Sequence, residues 1–411
     1  MSEFVCTSIM GVKFELTARY SEPLPVELDA YGLVCSAKDR ILNKLVAIKK
    51  ITRPFGSSTL AKNALREVKL LRYMHHENII GLADVFISPR EDLYIATDLM
   101  WTNMQVLISK GPIHSDFAKY FIYQILRGLK YVHSAGIIHR DLKPSSLLID
   151  ENCDLRICDF GHARVQDQKM TGYVATRYYR APEIMLHWQE YSEKVDIWST
   201  ACILAEMLKG TPLFPATSHA DQFTLFVNLL GNPTEKIVEK IKNKNTRAFV
   251  QSLPQCKRLP LTESFPGVDQ EAIDILEKML SFDVDDRISA EAALSHPYVA
   301  TYHDPNDEPT VENQFDWRFD NDEINTEALK TAVFKEVLFF RQQALHRRQQ
   351  ITIRDAIFEA TKDHVPRDHV PAKDHVPAQV AVFPITEIPE FTPAEQEGFS
   401  DDISAFIHDF N

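Results

Sequence analysis

Three short motifs, in one order, constrain this chain more than anything else in it. They are His139-Arg140-Asp141-Leu142-Lys143-Pro144, then Asp159-Phe160-Gly161, then Ala181-Pro182-Glu183. The first follows the apolar run FAKYFIYQILRGLKYVHSAG, which reads as a long helix closed at Gly136. Upstream, the chain reads mostly as strands: LVAIKKI (45–51) is a β-branched run carrying Lys49, and DLYIATDLM (92–100) is another. One helix interrupts them. TLAKNALREVKLLRYM (59–74) sets Leu60, Ala64, Val68 and Leu71 at helical spacing, with Glu67 among them. Downstream, VDIWSTACILAEMLKG, DQFTLFVNLLG and DQEAIDILEKML read as helices. A strand-rich front and a helix-rich back imply an α+β fold in two lobes.

Composition narrows the function classes. With 411 residues, 45% of them hydrophobic, the chain can bury a large core. A net charge of −13 argues against nonspecific nucleic-acid binding, which runs on phosphate neutralisation. The six cysteines form no C-x-x-C pair and read as reduced, buried thiols. The opening MSEFVCTSIMG lacks a basic region, so no secretory leader is expected, and no apolar run is long enough for a membrane span. An intracellular protein is expected. After about residue 345 the composition shifts. KDHVPRDHVPAKDHVPAQV repeats Asp-His-Val-Pro, where each valine before proline is pushed to extended backbone, so 346–411 reads as a flexible tail. Its end, with Phe399, Ile403, Phe406 and Phe410 at helical spacing, reads equally as a small docking helix or an acidic disordered tail.

The three motifs, with Ala47-Ile48-Lys49 upstream, resemble the protein-kinase signatures in order and in distance. MTGYVATRYYRAPE, KPSSLLIDENCDLRICDFG, YHDPNDEP and FDWRFD resemble the MAP kinases of the stress-activated Thr-Gly-Tyr type, the high-osmolarity glycerol group, from about Phe4 to about Phe340. The resemblance implies a two-lobed kinase fold over 20–299, with a small strand-rich N-lobe to about residue 100 and a large helical C-lobe from about 101. An extension would precede it at 1–20, and an acidic docking segment would pack back on the lobes at 300–345. It implies a proline-directed serine/threonine protein kinase of a stress cascade, acting in cytoplasm and nucleus. ATP and Mg2+ would be required. Partners would be an upstream dual-specificity MAP kinase kinase, substrates with Ser/Thr-Pro, and basic docking peptides, with neither nucleic acid nor membrane.

Residue by residue, the resemblance gives Asp141 the substrate hydroxyl proton and Lys143 a place beside the transferred phosphate. Asp159 and Ser146 would hold magnesium. Lys49 would touch the phosphates and pair with Glu67, while Val26, Gly32, Val34, Ala47, Thr97, Leu99, Met100 and Leu148 would enclose the nucleotide. Thr171 and Tyr173 would be phosphorylated, with Arg66, Arg140 and Arg164 receiving phospho-Thr171 and Arg177 and Arg180 receiving phospho-Tyr173. Arg287 would pair with Glu183, and Asp196 would bond the backbone of the catalytic loop. Asp304, Asp307, Glu308 and Glu151 would attract basic docking peptides; a solvated acidic loop is the plain alternative.

The chain departs from this pattern around the nucleotide. Where the family has Gly-x-Gly-x-x-Gly it reads Glu27-Leu28-Asp29-Ala30-Tyr31-Gly32, which adds bulk and two carboxylates near a polyanion. At 4 Å and an effective dielectric near 20, each facing pair of unit charges costs about 4 kcal/mol. Ser146 stands where the family has asparagine, and Asn103 where an aspartate often contacts the ribose. Two readings stay open: an active kinase with reduced ATP affinity, or a pseudokinase that docks partners without phosphotransfer.

Overall fold

The computed structural model describes residues 4–29, 32–163, 177–186, 192–320 and 324–361, with side chains described except at 27–29, 32 and 344–361. Strands β1 (Phe4–Ile9) and β2 (Val12–Thr17) form an antiparallel hairpin. Strands β3 (Tyr20–Asp29), β4 (Gly32–Asp39), β5 (Lys44–Ile51), β6 (Leu82–Ile87) and β7 (Leu93–Asp98) form an antiparallel sheet in the order β3-β4-β5-β7-β6. Two-residue alternation decides what each face does. In β5, Val46, Ile48 and Lys50 turn outward under the hairpin, and Ala47, Lys49 and Ile51 turn the other way. Ile9, Phe14 and Leu16 of the hairpin close the outer face over Leu33, Cys35, Val46, Ile48 and Tyr94. Buried Lys50 is tolerated there because its ammonium bonds Asp92 at 2.9 Å and lies 5.7 Å from the centre of the Phe14 ring. The segment expected as an extension is therefore the roof of the N-lobe sheet.

Helix α1 (Ser58–Tyr73) starts where the Ser57 hydroxyl accepts the Leu60 N–H at 3.2 Å. The long C-terminal helix Thr326–Thr361 lies along it. Glu336 pairs with Lys69 at 2.7 Å and Arg72 at 2.8 Å, and Phe334 stacks on Phe55. This helix corrects the tail boundary placed at 346: it continues to Thr361, since neither glycine nor proline occurs within it and Gln, Ala and Arg favour helix. The Asp-His-Val-Pro repeats and the terminal helix lie outside the described residues.

Behind the sheet, β8 (Thr102–Asn103) and helix α2 (Met104–Ser109) lead into α3 (Ser115–Ser134), whose Phe121, Ile122, Ile125, Leu126, Leu129 and Val132 are buried. Strands β9 (Leu147–Ile149) and β10 (Leu155–Ile157) join β8 in a small sheet of order β10-β9-β8. After α4 (Pro182–Met185) comes α5 (Lys194–Lys209), buried almost throughout, with Trp198 packed against Phe214 and Phe226. Arg287 bonds Glu183 at 2.6 and 3.0 Å, both buried, so the expected pair is present. The two-lobed α+β kinase fold is thus in place.

Candidate active site

A cleft of about 390 Å³ opens between the lobes. The inward face of β5 supplies Ala47 and Lys49, β4 supplies Val34 opposite Lys49, and β7 supplies Thr97 opposite Ala47. Val26, Leu99, Met100 and Leu148 also line it, which brings together all the expected apolar and connector residues. Gly32 lies on β4 by its backbone, and the side chains of Glu27 and Asp29 lie outside the described residues. Sequence reasoning missed Trp101 and Val106, which line the mouth, and Cys158, which lines the inner end. Also missed was the link across the lobes at Asp98, which Lys44 of β5 and Arg156 of β10 both bond. Burial works to raise the Asp98 pKa, but those two cations hold it below the ordinary carboxylate range.

At the inner end, Lys49 Nζ lies 3.0 Å from Glu67 Oε1 and 3.8 Å from Asp159 Oδ1. One strand register and one helix face place the first two; Asp159 reaches them through a left-handed backbone, φ +66°. Burial alone would raise its pKa, yet Lys49 first and then Lys143 outweigh that, and the carboxyl lies below the usual range. Asp141, nearly buried, accepts from Lys143 Nζ at 3.2 Å. The loop around it is pinned from α5. The Asp196 carboxylate accepts the N–H groups of His139 at 2.9 Å and Arg140 at 2.8 Å, and Arg140 has φ +71°. His139 Nε2 lies 2.9 Å from the Cys158 carbonyl, which only accepts, so that nitrogen carries the proton and Nδ1 accepts the Asp141 N–H at 3.4 Å.

Four expectations need correction or restriction. Ser146 is buried. Its hydroxyl donates to the Lys143 carbonyl at 2.8 Å and accepts the Lys143 N–H at 3.0 Å, closing the turn Pro144–Ser146. An oxygen so committed is a poor metal ligand. Arg66 is buried and directed to Asp320 at 2.6 Å, Asn63 at 2.8 Å and the Gly161 carbonyl at 3.2 Å, so here its charge faces the C-terminal segment. Arg177 donates to the Thr217 carbonyl at 2.6 Å. Arg180 is half-buried beside it, and Arg164, Thr171 and Tyr173 lie outside the described residues. Glu308 is buried against His303 at 2.7 Å and Lys130 at 3.3 Å, which removes it from a docking surface. Asp304, Asp307 and Glu151 are exposed, Asp307 beside Arg127 at 3.2 Å.

Among the described residues no group of three or more His, Cys, Asp or Glu is placed to hold a metal alone. A cation here would share Asp159 with phosphate oxygens, the habit of Mg2+. Among the same residues no helix is long and apolar enough to cross a membrane.

The sequences of known proteins point to the same family. The family model described as protein kinase domain matches residues 30–299. The mitogen-activated protein kinase sty1 of Schizosaccharomyces pombe is 56% identical over 340 residues, 83% of this chain and 97% of its own length. Mitogen-activated protein kinase mpkC of Aspergillus clavatus is 57% identical over 339 residues, 82% of this chain and 89% of its own. Mitogen-activated protein kinase HOG1 of Cochliobolus heterostrophus is 54% identical over 338 residues, 82% of this chain and 95% of its own. On the fold, the cleft and these likenesses, the chain belongs to the protein kinase family, among its stress-activated mitogen-activated protein kinases.

Proposed function

We propose that this kinase transfers the γ-phosphate of ATP to serine or threonine followed by proline, with Asp141 as the base and Lys49, Lys143 and Asp159 around the phosphates. The single observation that carries it is the charge set at the inner end: Lys49 Nζ at 3.0 Å from Glu67 and 3.8 Å from Asp159, beside the Asp141–Lys143 pair at 3.2 Å. Asp141 takes the proton of the attacking hydroxyl as its oxygen bonds to the γ-phosphorus. The bond from that phosphorus to the bridging oxygen breaks, ADP leaves, and Lys143 stays beside the charge in flight. Glu67 holds Lys49 towards the phosphates, and Val34, Ala47 and Leu148 bury the adenine. Asp159 would hold magnesium, which would supply positive charge to the phosphate groups.

Activation by phosphorylation of Thr171 and Tyr173 fits the same reading. Asp320 occupies Arg66, so a phosphate at Thr171 competes with it for that guanidinium, with Arg140 and Arg164 as further cations. The exposed Asp304, Asp307 and Glu151 suit basic docking peptides of an upstream kinase and of substrates, and the same reading takes cytoplasm and nucleus as the compartments in which the enzyme acts. The test is transfer from MgATP to peptides with Ser/Thr-Pro by the full chain phosphorylated at both sites. Expected is at least about tenfold preference for proline over alanine after the acceptor, a difference of about 1.4 kcal/mol. Absence of transfer at saturating nucleotide contradicts the proposal.

A further inference from the structure

Lys49 and Asp159 face each other across the cleft, and the strands that lead to them are tied together again outside it. Lys49 lies on β5, whose Val46 pairs with Asp98, the last residue of β7. Asp159 follows closely on β10. Leu155 and Ile157 of β10 turn into the core, so Arg156 between them turns out towards the connector. There Asp98 is bonded from both lobes. Its Oδ1 accepts from Lys44 of β5, and its Oδ2 accepts from Arg156 at 2.7 Å. The connector itself is short: Leu99 to Trp101 lie outside both sheets, and Thr102 already pairs with Ile149 in the small sheet. A few residues of this kind are where two lobes bend. The tie at Asp98 bridges them, and it acts on the same two strands that set the 3.8 Å between Lys49 and Asp159.

We infer that Lys44, Asp98 and Arg156 form a clasp across the connector that restrains opening of the lobes, which makes Asp98 and Arg156 positioning residues that hold Asp159 within reach of Lys49. The Asp98 carboxylate is a third exposed, so the clasp is worth a few-fold and does not lock the lobes. Its kinetic consequence rests on the transfer proposed above; its effect on opening does not.

Cys158 lines the inner end of the cleft, so its thiol reports opening without any nucleotide. The full chain is treated with iodoacetamide and each cysteine is followed by mass spectrometry. Arg156→Gln is expected to speed alkylation of Cys158 about two- to fivefold. Asp98→Asn, which leaves the sequence around Cys158 untouched, should do the same, and adding Arg156→Gln to it should change nothing further. Cys35 and Cys202, both buried, should stay unreactive, which separates opening from unfolding. In the doubly phosphorylated enzyme each variant should lose about two- to fivefold in kcat/KM for MgATP, and Arg156→Lys, which keeps the charge, should recover most of it. Alkylation of Cys158 that rises less than about twofold in either single variant overturns the clasp. So does an effect of Arg156→Gln that persists undiminished beside Asp98→Asn, because the arginine then acts elsewhere. Faster alkylation with unchanged kcat/KM overturns the positioning role. Absence of transfer by the parent overturns the proposed function, and the alkylation rates then decide the clasp alone.

Discussion

At the inner end of the cleft, Lys49 lines the wall with two carboxylates beside it at 3.0 and 3.8 Å. At the mouth and along the catalytic turn, Asn103 and Ser146 give their oxygens to backbone N–H groups at 3.0 Å in each case. The inner charges are anchored by other charges, so they stay directed at a ligand. The outer polar groups are anchored by their own backbone, so they shape the chain and contribute little to the nucleotide. On the proposed function, a site of this kind would keep its chemistry and lose part of its grip, since transfer depends on placed charges and affinity on many small contacts.

The comparison can be broken at the inner end first. Lys49→Met should lower kcat/KM by about a hundredfold or more, since one preorganised cation at the phosphates is lost. Steady-state kinetics on the doubly phosphorylated chain would measure it, and a fall of less than tenfold would mean that Lys49 does not face the phosphates. Glu67→Gln keeps the shape and removes one charge. It should cost about tenfold, less than Lys49→Met, because Asp159 still faces the lysine.

At the turn the effect should be small and opposite in sign. Ser146→Asn offers an amide oxygen to a cation but breaks the hydroxyl bridge across Pro144–Ser146. It should tighten nucleotide a few-fold only when magnesium is present, and lower stability by about 1 kcal/mol. A gain that is equal with and without magnesium would remove metal ligation as its cause.

The pH dependence gives the smallest expected signal. Asp159 has its folded pKa depressed, so the stability it brings is present above its unfolded pKa near 3.9 and is lost as pH falls through the lower folded value. Urea midpoints of parent and Asp159→Asn should therefore diverge above about pH 4 and converge below it. Curves that stay parallel down to pH 2 would mean that Lys49 and Lys143 do not hold that charge.

What the sequence could reveal divides along the same line. The Lys49–Glu67 pair was legible through the resemblance, and it held because each half is a local matter: strand alternation turns Lys49 inward and the helix pattern fixes the Glu67 face. The two lobes were legible for the same reason. Asp320 on Arg66 was not, because the partners meet from opposite ends of the kinase unit and no local pattern announces the contact. Glu308 carries the sign of its exposed neighbours, and only the packing against His303 and Lys130 takes it inside. The turn at Ser146 was hidden because serine reads alike as ligand and as cap. The run of Thr326–Thr361 past 345 was legible in principle, from a stretch without glycine or proline, but the repeats beyond it drew the boundary too early.

The account turns on whether the inner charges still carry out transfer, and one measurement decides it most directly. The full chain, phosphorylated at Thr171 and Tyr173, is given MgATP at millimolar concentration and a Ser/Thr-Pro peptide, alongside Asp141→Ala at equal folded fraction. The account predicts phosphate transfer by the parent and a fall of about a hundredfold to ten-thousandfold in the variant, the range for a lost general base. Equal rates in the two proteins, or no transfer by a parent that binds the nucleotide, would contradict it.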